Sequence, residues 1–314
     1  MRKRTDREDF IKMLRGFSLV EPSFKVWTLT FGDHKSRRTG EGMEFREFRQ
    51  YEHGDDIASL DVEASLRTGE KLVRLNLTEE KVKCAVILDD SPSLGYYGMR
   101  GTALLAAGCY LMSAIKKKDP ANMIIYANDG KIPFISPNMF SAEEVIGLLL
   151  DLFDRSVSRV NPSGKNTFAE LASQISRCAD LSNSLAVMVS DFSFSDVFVY
   201  HDGASKKEKL TGYGEFKRGM DMLSGGREAR DMALIGVAPY WNDFLELRGF
   251  FSIEDSETGQ KKTVHFDNAS AGRFVAGQRS RERILKEHSR FLDIPMVWLH
   301  SGDNVSEEIE KTFM

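Results

Sequence analysis

The sequence predicts an α/β protein: a doubly wound, mostly parallel sheet with a small, mostly β subdomain ahead of it. Two observations carry this. From about Lys81, compact apolar runs rich in β-branched residues alternate with longer helical patterns, the rhythm of a parallel sheet wound through right-handed crossovers. Those runs are apolar without alternation, as strands covered on both faces must be. Before Lys81 the rhythm is missing.

In chain order, Glu8–Phe17 reads as a short helix, Ser23–Thr30 as a strand and Gly32–Gly54 as a turn-rich charged stretch, with Leu72–Leu77 leading into the first core strand. Val82–Leu88 is that strand and Arg100–Lys117 the helix after it. Met123–Tyr126 and Lys131–Ile135 flank Asn128-Asp129-Gly130, a tight-turn hairpin signal. Ser141 and Glu144 form a capping box ahead of Val145, Ile146, Leu148, Leu149, Leu152 and Phe153, a helix with a broad apolar face. Thr167–Asp180 is a further helix, Ser184–Ser190, Met232–Val237 and Pro295–His300 are buried strands, and Gly272–Leu292 is the helix before the last of them. Tyr200–Phe216 is polar and reads as an exposed excursion. Phe250–Glu254 and Lys262–Phe266, around Thr258-Gly259, make a late hairpin. The expected division is therefore 1–80 for the N-terminal helix and β subdomain and 81–314 for the α/β domain, with a hairpin insertion at about 245–268.

Composition excludes several classes. The 314 residues carry 43 Lys+Arg against 47 Asp+Glu, a formal net charge of −4, which argues against a general nucleic-acid binder. Thr102 to Ile115, the longest nearly apolar stretch, is too short to span a bilayer. The basic N-terminus lacks a following apolar segment, so no secretory leader is expected. Cys84, Cys109 and Cys178 form neither a disulfide framework nor a zinc pattern. A cytoplasmic protein without a membrane span is expected.

The most informative stretch is Leu88-Asp89-Asp90-Ser91-Pro92-Ser93. It sets a carboxylate and two hydroxyls, Asp89, Ser91 and Ser93, at alternate positions after a buried strand, where α/β sheets bind ligands. Three such oxygens can be aimed at one hard divalent ion, Mg²⁺ or Mn²⁺. Asp191 follows another buried strand and should reach the same sheet edge. Thr167 opens a helix, where Thr167 and Glu170 also make a capping box.

Asp89-x-Ser91-x-Ser93, Thr167 and Asp191 resemble the metal-ion-dependent adhesion site of von Willebrand factor type A domains, over roughly Lys81 to the C-terminus. A closer resemblance covers nearly the whole chain. Gly40-Glu-Gly-Met-Glu-Phe45, Arg49-Gln-Tyr51, Gly54-Asp55-Asp56, Leu60-Asp61, Ser65-Leu-Arg67-Thr-Gly69 and Gly249…Glu254-Asp-Ser-Glu-Thr-Gly259 are similar to the bacterial domain-of-unknown-function fifty-eight family. That family usually has an Arg near Ala58 and a Trp where Val62 stands, and a Met where Leu94 follows the second serine. The resemblance implies a non-enzymatic, metal-dependent protein-interaction module. It further implies an adaptor or chaperone-like partner of a MoxR-type AAA ATPase, with Asp89, Ser91, Ser93, Thr167 and Asp191 holding one Mg²⁺ or Mn²⁺.

The competing reading is a serine hydrolase of the α/β-hydrolase type. Ser91-Pro-Ser93-Leu-Gly95 approaches a nucleophile elbow, with Ser93 as nucleophile, His300 as base and Asp243 or Asp191 as orienting acid. Against it, Ser91 replaces the first glycine, and Asp89-Asp90 would crowd a developing oxyanion with negative charge. An Asp89 phosphatase would want an acid where Ser91 stands. A P-loop at Gly164-Lys165 lacks its upstream glycine, since Arg159 is there. Gly212-Tyr-Gly214 follows no strand, His288 falls on an apolar helical face, and Arg37-Arg38 and Lys206-Lys207 read as solvated charge.

Overall fold

A computed structural model of the chain describes residues 7–19, 39–53, 55–77, 83–127, 133–155, 167–179, 181, 184–194, 196–197, 211–223, 232–254 and 261–313. The expected strand Ser23–Thr30 and the turns at Asn128-Asp129-Gly130 and Thr258-Gly259 lie outside them, as do the Gly164-Lys165, Arg37-Arg38 and Lys206-Lys207 motifs. Two compact units are present, Met1–Val26 with Val82–Met314, and Trp27–Lys81.

The larger unit is built on a six-stranded sheet. Its strands are β3 (Lys83–Asp89), β4 (Ala121–Tyr126), β5 (Phe134–Ile135), β6 (Ser184–Ser190), β7 (Met232–Ala238) and β10 (Met296–His300), in the order β10-β7-β6-β3-β4-β5. All neighbours run parallel except the short edge strand β5. Because successive side chains point to opposite faces, and β4, β6 and β7 are buried at every position, both faces must be covered. On one side, Ala85, Ile87, Met188 and Leu234 meet Phe168, Phe216 and Leu285 from helices α5 (Phe168–Cys178), α6 (Thr211–Leu223) and α7 (Asn268–Phe291). On the other lies α3 (Met99–Lys116), whose Tyr110 hydroxyl donates to the Leu185 carbonyl at 2.9 Å.

Helix α3 is buried continuously from Gly101 to Ala114, the pattern of a helix enclosed on all sides. Its outer cover includes α1 (Arg7–Leu19), α4 (Ala142–Asp154) and α8 (Val305–Phe313). Phe10 of α1 is fully buried and stacks on Phe153 with ring centroids 4.4 Å apart. Leu14 lies over Gly108, where an added Cβ would stand 2.6 Å from Leu14 Cδ2. Helix α4 starts at the expected capping box of Ser141 and Glu144. The late hairpin is present as β8 (Gly249–Glu254) and β9 (Lys261–Phe266), paired antiparallel.

The smaller unit pairs β1 (Thr39–Gln50) with β2 (Leu72–Leu77) antiparallel and adds helix α2 (Val62–Thr68). Asp56 caps a 3-10 turn over Ile57–Ser59, and Asp61 caps α2 by accepting the Ala64 N–H at 2.9 Å. The Ser65 hydroxyl donates to the Asp61 carbonyl at 2.6 Å and accepts the Leu72 N–H at 2.9 Å, joining helix to strand. Arg49 pairs with Asp55 Oδ1 at 2.7 Å, and Gly69, with φ of 77°, ends the helix in the left-handed region.

Three differences from expectation have physical causes. Most of Gly32–Gly54, read as turns, is the strand β1, whose register shifts between Phe45 and Glu47; a bulge breaks the period of two. The end of the Tyr200–Phe216 excursion belongs to α6, whose glycines lower its apparent helix propensity. Gly219 is needed there, because a Cβ would stand 2.4 Å from the Phe168 ring. Helix α7 begins earlier than Gly272, at a capping box between Asp267 and Ser270.

Candidate functional site at the strand ends

Strands β3 and β6 are parallel neighbours, with Leu88 opposite Val189, so Asp89 and Ser190 leave the sheet side by side. Asp89 and Ser91 are buried, while Ser93 and Asp191 are half-buried. Asp89 Oδ1 accepts the Ser91 N–H at 2.9 Å, an Asx turn that bends the loop back over the strand. Asp89 Oδ2 accepts the Ser190 hydroxyl at 2.7 Å. The Ser91 and Ser93 hydroxyls share a hydrogen bond of 2.9 Å. Beyond β6, Ser190 Oγ accepts the Phe192 N–H and Asp191 Oδ1 the Ser193 N–H, each at 2.9 Å. These two bonds hold Phe192 at φ of 51°, a conformation that a bulky residue occupies only when its surroundings impose it. The Phe192 ring is fully buried.

The electrostatics follow from burial. Asp89 is pushed up to about 7, by loss of hydration first and by the Asp191 charge second, against the pull of its bonds from Ser190 and Ser91. Tyr126, opposite Asp89 on β4, is held well above its ordinary value by burial and then by the Asp89 charge. Asp90 turns away and pairs with Arg100 at 2.9 Å; burial raises its carboxyl more than Arg100 and Arg155 lower it.

Thr167 serves as the cap of α5, its hydroxyl accepting the Glu170 N–H at 3.2 Å. A second cap comes from Asp196, whose carboxylate accepts the Phe168 and Ala169 N–H groups at 2.7 and 3.2 Å. Sequence reasoning missed Asp196, Ser190 and Tyr126. Ser190 and Tyr126 were recognisable only as polar ends of apolar strands, and Asp196 gave no signal.

The expectation of a Mg²⁺ or Mn²⁺ ion is overturned. Among the described residues, no group of three or more His, Cys, Asp or Glu side chains stands together to hold a metal. Hard divalent ions want several exposed, ionised oxygens. Here both Asp89 oxygens are occupied by hydrogen-bond donors, and the Ser91 and Ser93 hydroxyls are turned to each other. The donor set does not fit the ion.

The hydrolase arrangement is not assembled either. His300 Nε2 faces Glu282 Oε1 at 3.3 Å and Nδ1 faces Asp303 Oδ2 at 3.5 Å, while Ser93 is bonded to Ser91. Burial lowers the His300 value, but the hydrogen bond and charge of Glu282, with Asp303, outweigh it and leave it raised.

A family model described as "Protein of unknown function DUF58" matches residues 47–213, more than half of the chain. The chain belongs to the DUF58 family. No curated protein matches it. The DUF58 match takes in Arg49, Asp55, Asp56, Asp61, Ser65 and Gly69, and the structure gives these signature residues structural work as caps, an ion pair and a helix stop. It also takes in the whole strand-end cluster from Asp89 to Phe192. Among the described residues, no helix is long and apolar enough to cross a membrane.

Proposed function

We propose that this DUF58 chain is a non-enzymatic protein-interaction module, an adaptor or chaperone-like partner of a MoxR-type AAA ATPase in the cytoplasm. Its docking face is the strand-end edge where the half-buried Ser93 and Asp191 stand beside the buried Asp89 and Ser91. The observation that supports this reading most is the closed set of bonds among Asp89, Ser190, Ser91 and Ser93. These groups hold two loops in one shape, and among the described residues no base is directed at Ser93. Asp89 is the positioning residue, and the half-buried Asp191 keeps one carboxylate oxygen for a partner's N–H or cationic group, a charge-assisted bond. The edge of the sheet at the carboxyl ends of its strands is where α/β proteins place such sites.

Co-purification of the chain with the ATPase tests it. The complex should survive chelation of divalent ions and weaken about tenfold with Asp191→Ala, the size expected when one central charged contact is lost. A full-strength complex with both Asp191→Ala and Ser93→Ala would remove the strand ends from the docking face. The absence of any complex with the unaltered chain would overturn the partner.

A further inference from the structure

Helix α7 has a buried face, including Val275, Leu285 and His288, and an outer face of a different character. Arg279, Arg283, Lys286 and Arg290 stand there at i, i+4, i+7 and i+11, and all four are exposed. At 1.5 Å and 100° per residue they form one straight stripe about 16 Å long within an arc of about 60°. Two carboxylates border the stripe. Glu282 is turned inward, where it accepts the Trp241 indole N–H, and the exposed Glu287 stands one turn beyond Arg283, about 40° around the helix from it. Arg279 donates to Asn242 Oδ1 at 2.7 Å. Among the described residues, no acid pairs with Arg283, Lys286 or Arg290.

A row of like charges at this spacing repels itself, in a chain whose net charge is −4. The negative end of the helix dipole accounts for Arg290, in the last turn, but it fades within that turn and does not reach Arg279, Arg283 or Lys286. Gly272 and Ala276 continue the stripe toward the N-terminus, and a Cβ added at Gly272 would meet nothing within 4 Å. A second helix therefore has room to lie along it.

We infer that this face of α7 is a docking surface for an acidic helix of a partner protein, with Asp and Glu side chains in register with the four cations. A second copy of this chain is a poorer occupant, because the adjacent acids at its helix ends already face cations. Asp154 pairs with Arg7, Asp151 with Arg155, and Glu307 and Glu308 with Lys311. A bilayer surface would want large apolar side chains flanking the cations, and the stripe continues in glycine and alanine instead.

The probe is a fluorescent alanine-based helical peptide with Glu at i, i+4, i+7 and i+11, titrated against the full chain by anisotropy. Binding should be saturable, weakened by salt, and reduced about tenfold or more by Arg283→Glu with Lys286→Glu. The pair Arg283→Gln and Lys286→Gln, a gentler change, should give a smaller loss in the same direction, and circular dichroism checks that each variant is folded. The reversals Lys12→Glu and Arg67→Glu, at exposed cations elsewhere, should change affinity by less than about twofold. No binding by the unaltered chain, or equal losses in the stripe and control variants, would overturn the assignment. Tighter stripe-dependent binding of a short DNA duplex or of phosphatidylserine vesicles than of the peptide would overturn it in favour of a polyanion.

Discussion

Ser190 donates its hydroxyl to Asp89 Oδ2 at 2.7 Å, across the gap between two parallel strands. The same Ser190 oxygen accepts the Phe192 N–H at 2.9 Å, so one side chain ties the end of β3 to the turn that follows β6. Asp89 is thereby enclosed by donors but cut off from water, and the competition between these two effects sets its behaviour.

Stability should depend on pH through Asp89. Its value is raised from 3.8 to about 7, so between those limits the folded state holds a proton that the unfolded chain has lost. The contribution is fully present below about pH 4 and is lost as pH rises to about 7. Urea unfolding at about pH 5 and about pH 8 should show the unaltered chain weaker at the higher pH, and Asp89→Asn should flatten that difference. An unchanged slope in Asp89→Asn would locate the dependence elsewhere.

Divalent metal should matter little. With both Asp89 oxygens engaged, Mg²⁺ has few ionised ligands to bind, and ligand linkage stabilises only what binds. Thermal midpoints with excess Mg²⁺, with Mn²⁺ and with EDTA should agree within about 1 °C. A shift of several degrees, abolished by Asp89→Ala, would restore the metal site.

Docking of the N-terminal helix depends on Gly108. A Cβ there would stand 2.6 Å from Leu14 Cδ2 and 3.0 Å from Leu149 Cδ1, so Gly108→Ala should cost about 1–3 kcal/mol. Leu14→Ala alone should cost about 2–5 kcal/mol by leaving a cavity. The double variant should be less destabilised than the two losses added, because the new methyl enters the space that Leu14 vacates. Strict additivity in chemical denaturation would show that the two residues do not meet.

Ser93 should be unreactive. Its hydroxyl is bonded to Ser91, and His300 is held between Glu282 and Asp303, so His300 is not placed to withdraw its proton. A fluorophosphonate probe followed by peptide mapping should leave Ser93 unlabelled. Labelling that disappears in His300→Ala would reinstate the hydrolase.

Much of the sheet could be read directly because burial on both faces selects its residues. Val82–Leu88, Ser184–Ser190 and Met232–Val237 are apolar apart from Lys83 and the two terminal serines, and each lies on a core strand within a residue or so of the expected bounds. Strand β1 could not be read in this way, since its bulge hides the alternation. Helix α6 was hidden because its Gly219 answers to the Phe168 ring, a contact between residues far apart in the chain.

The same division runs through the site. Local patterning is enough to put Asp89, Ser91, Ser93 and Asp191 at strand ends, because apolar runs stop there and the chain must turn. It is also enough to make Thr167 a helix cap, because that bond is made to a residue three positions away. What those strand-end groups bond to depends on the packing of distant segments. Ser190 reaches Asp89 from 101 positions away and Asp196 reaches the α5 N-terminus from 28, and no local pattern encodes either. A spacing of oxygens suited to a metal became a buried, hydrogen-bonded cluster, because burial penalises bare charge and neighbouring strands supplied donors first.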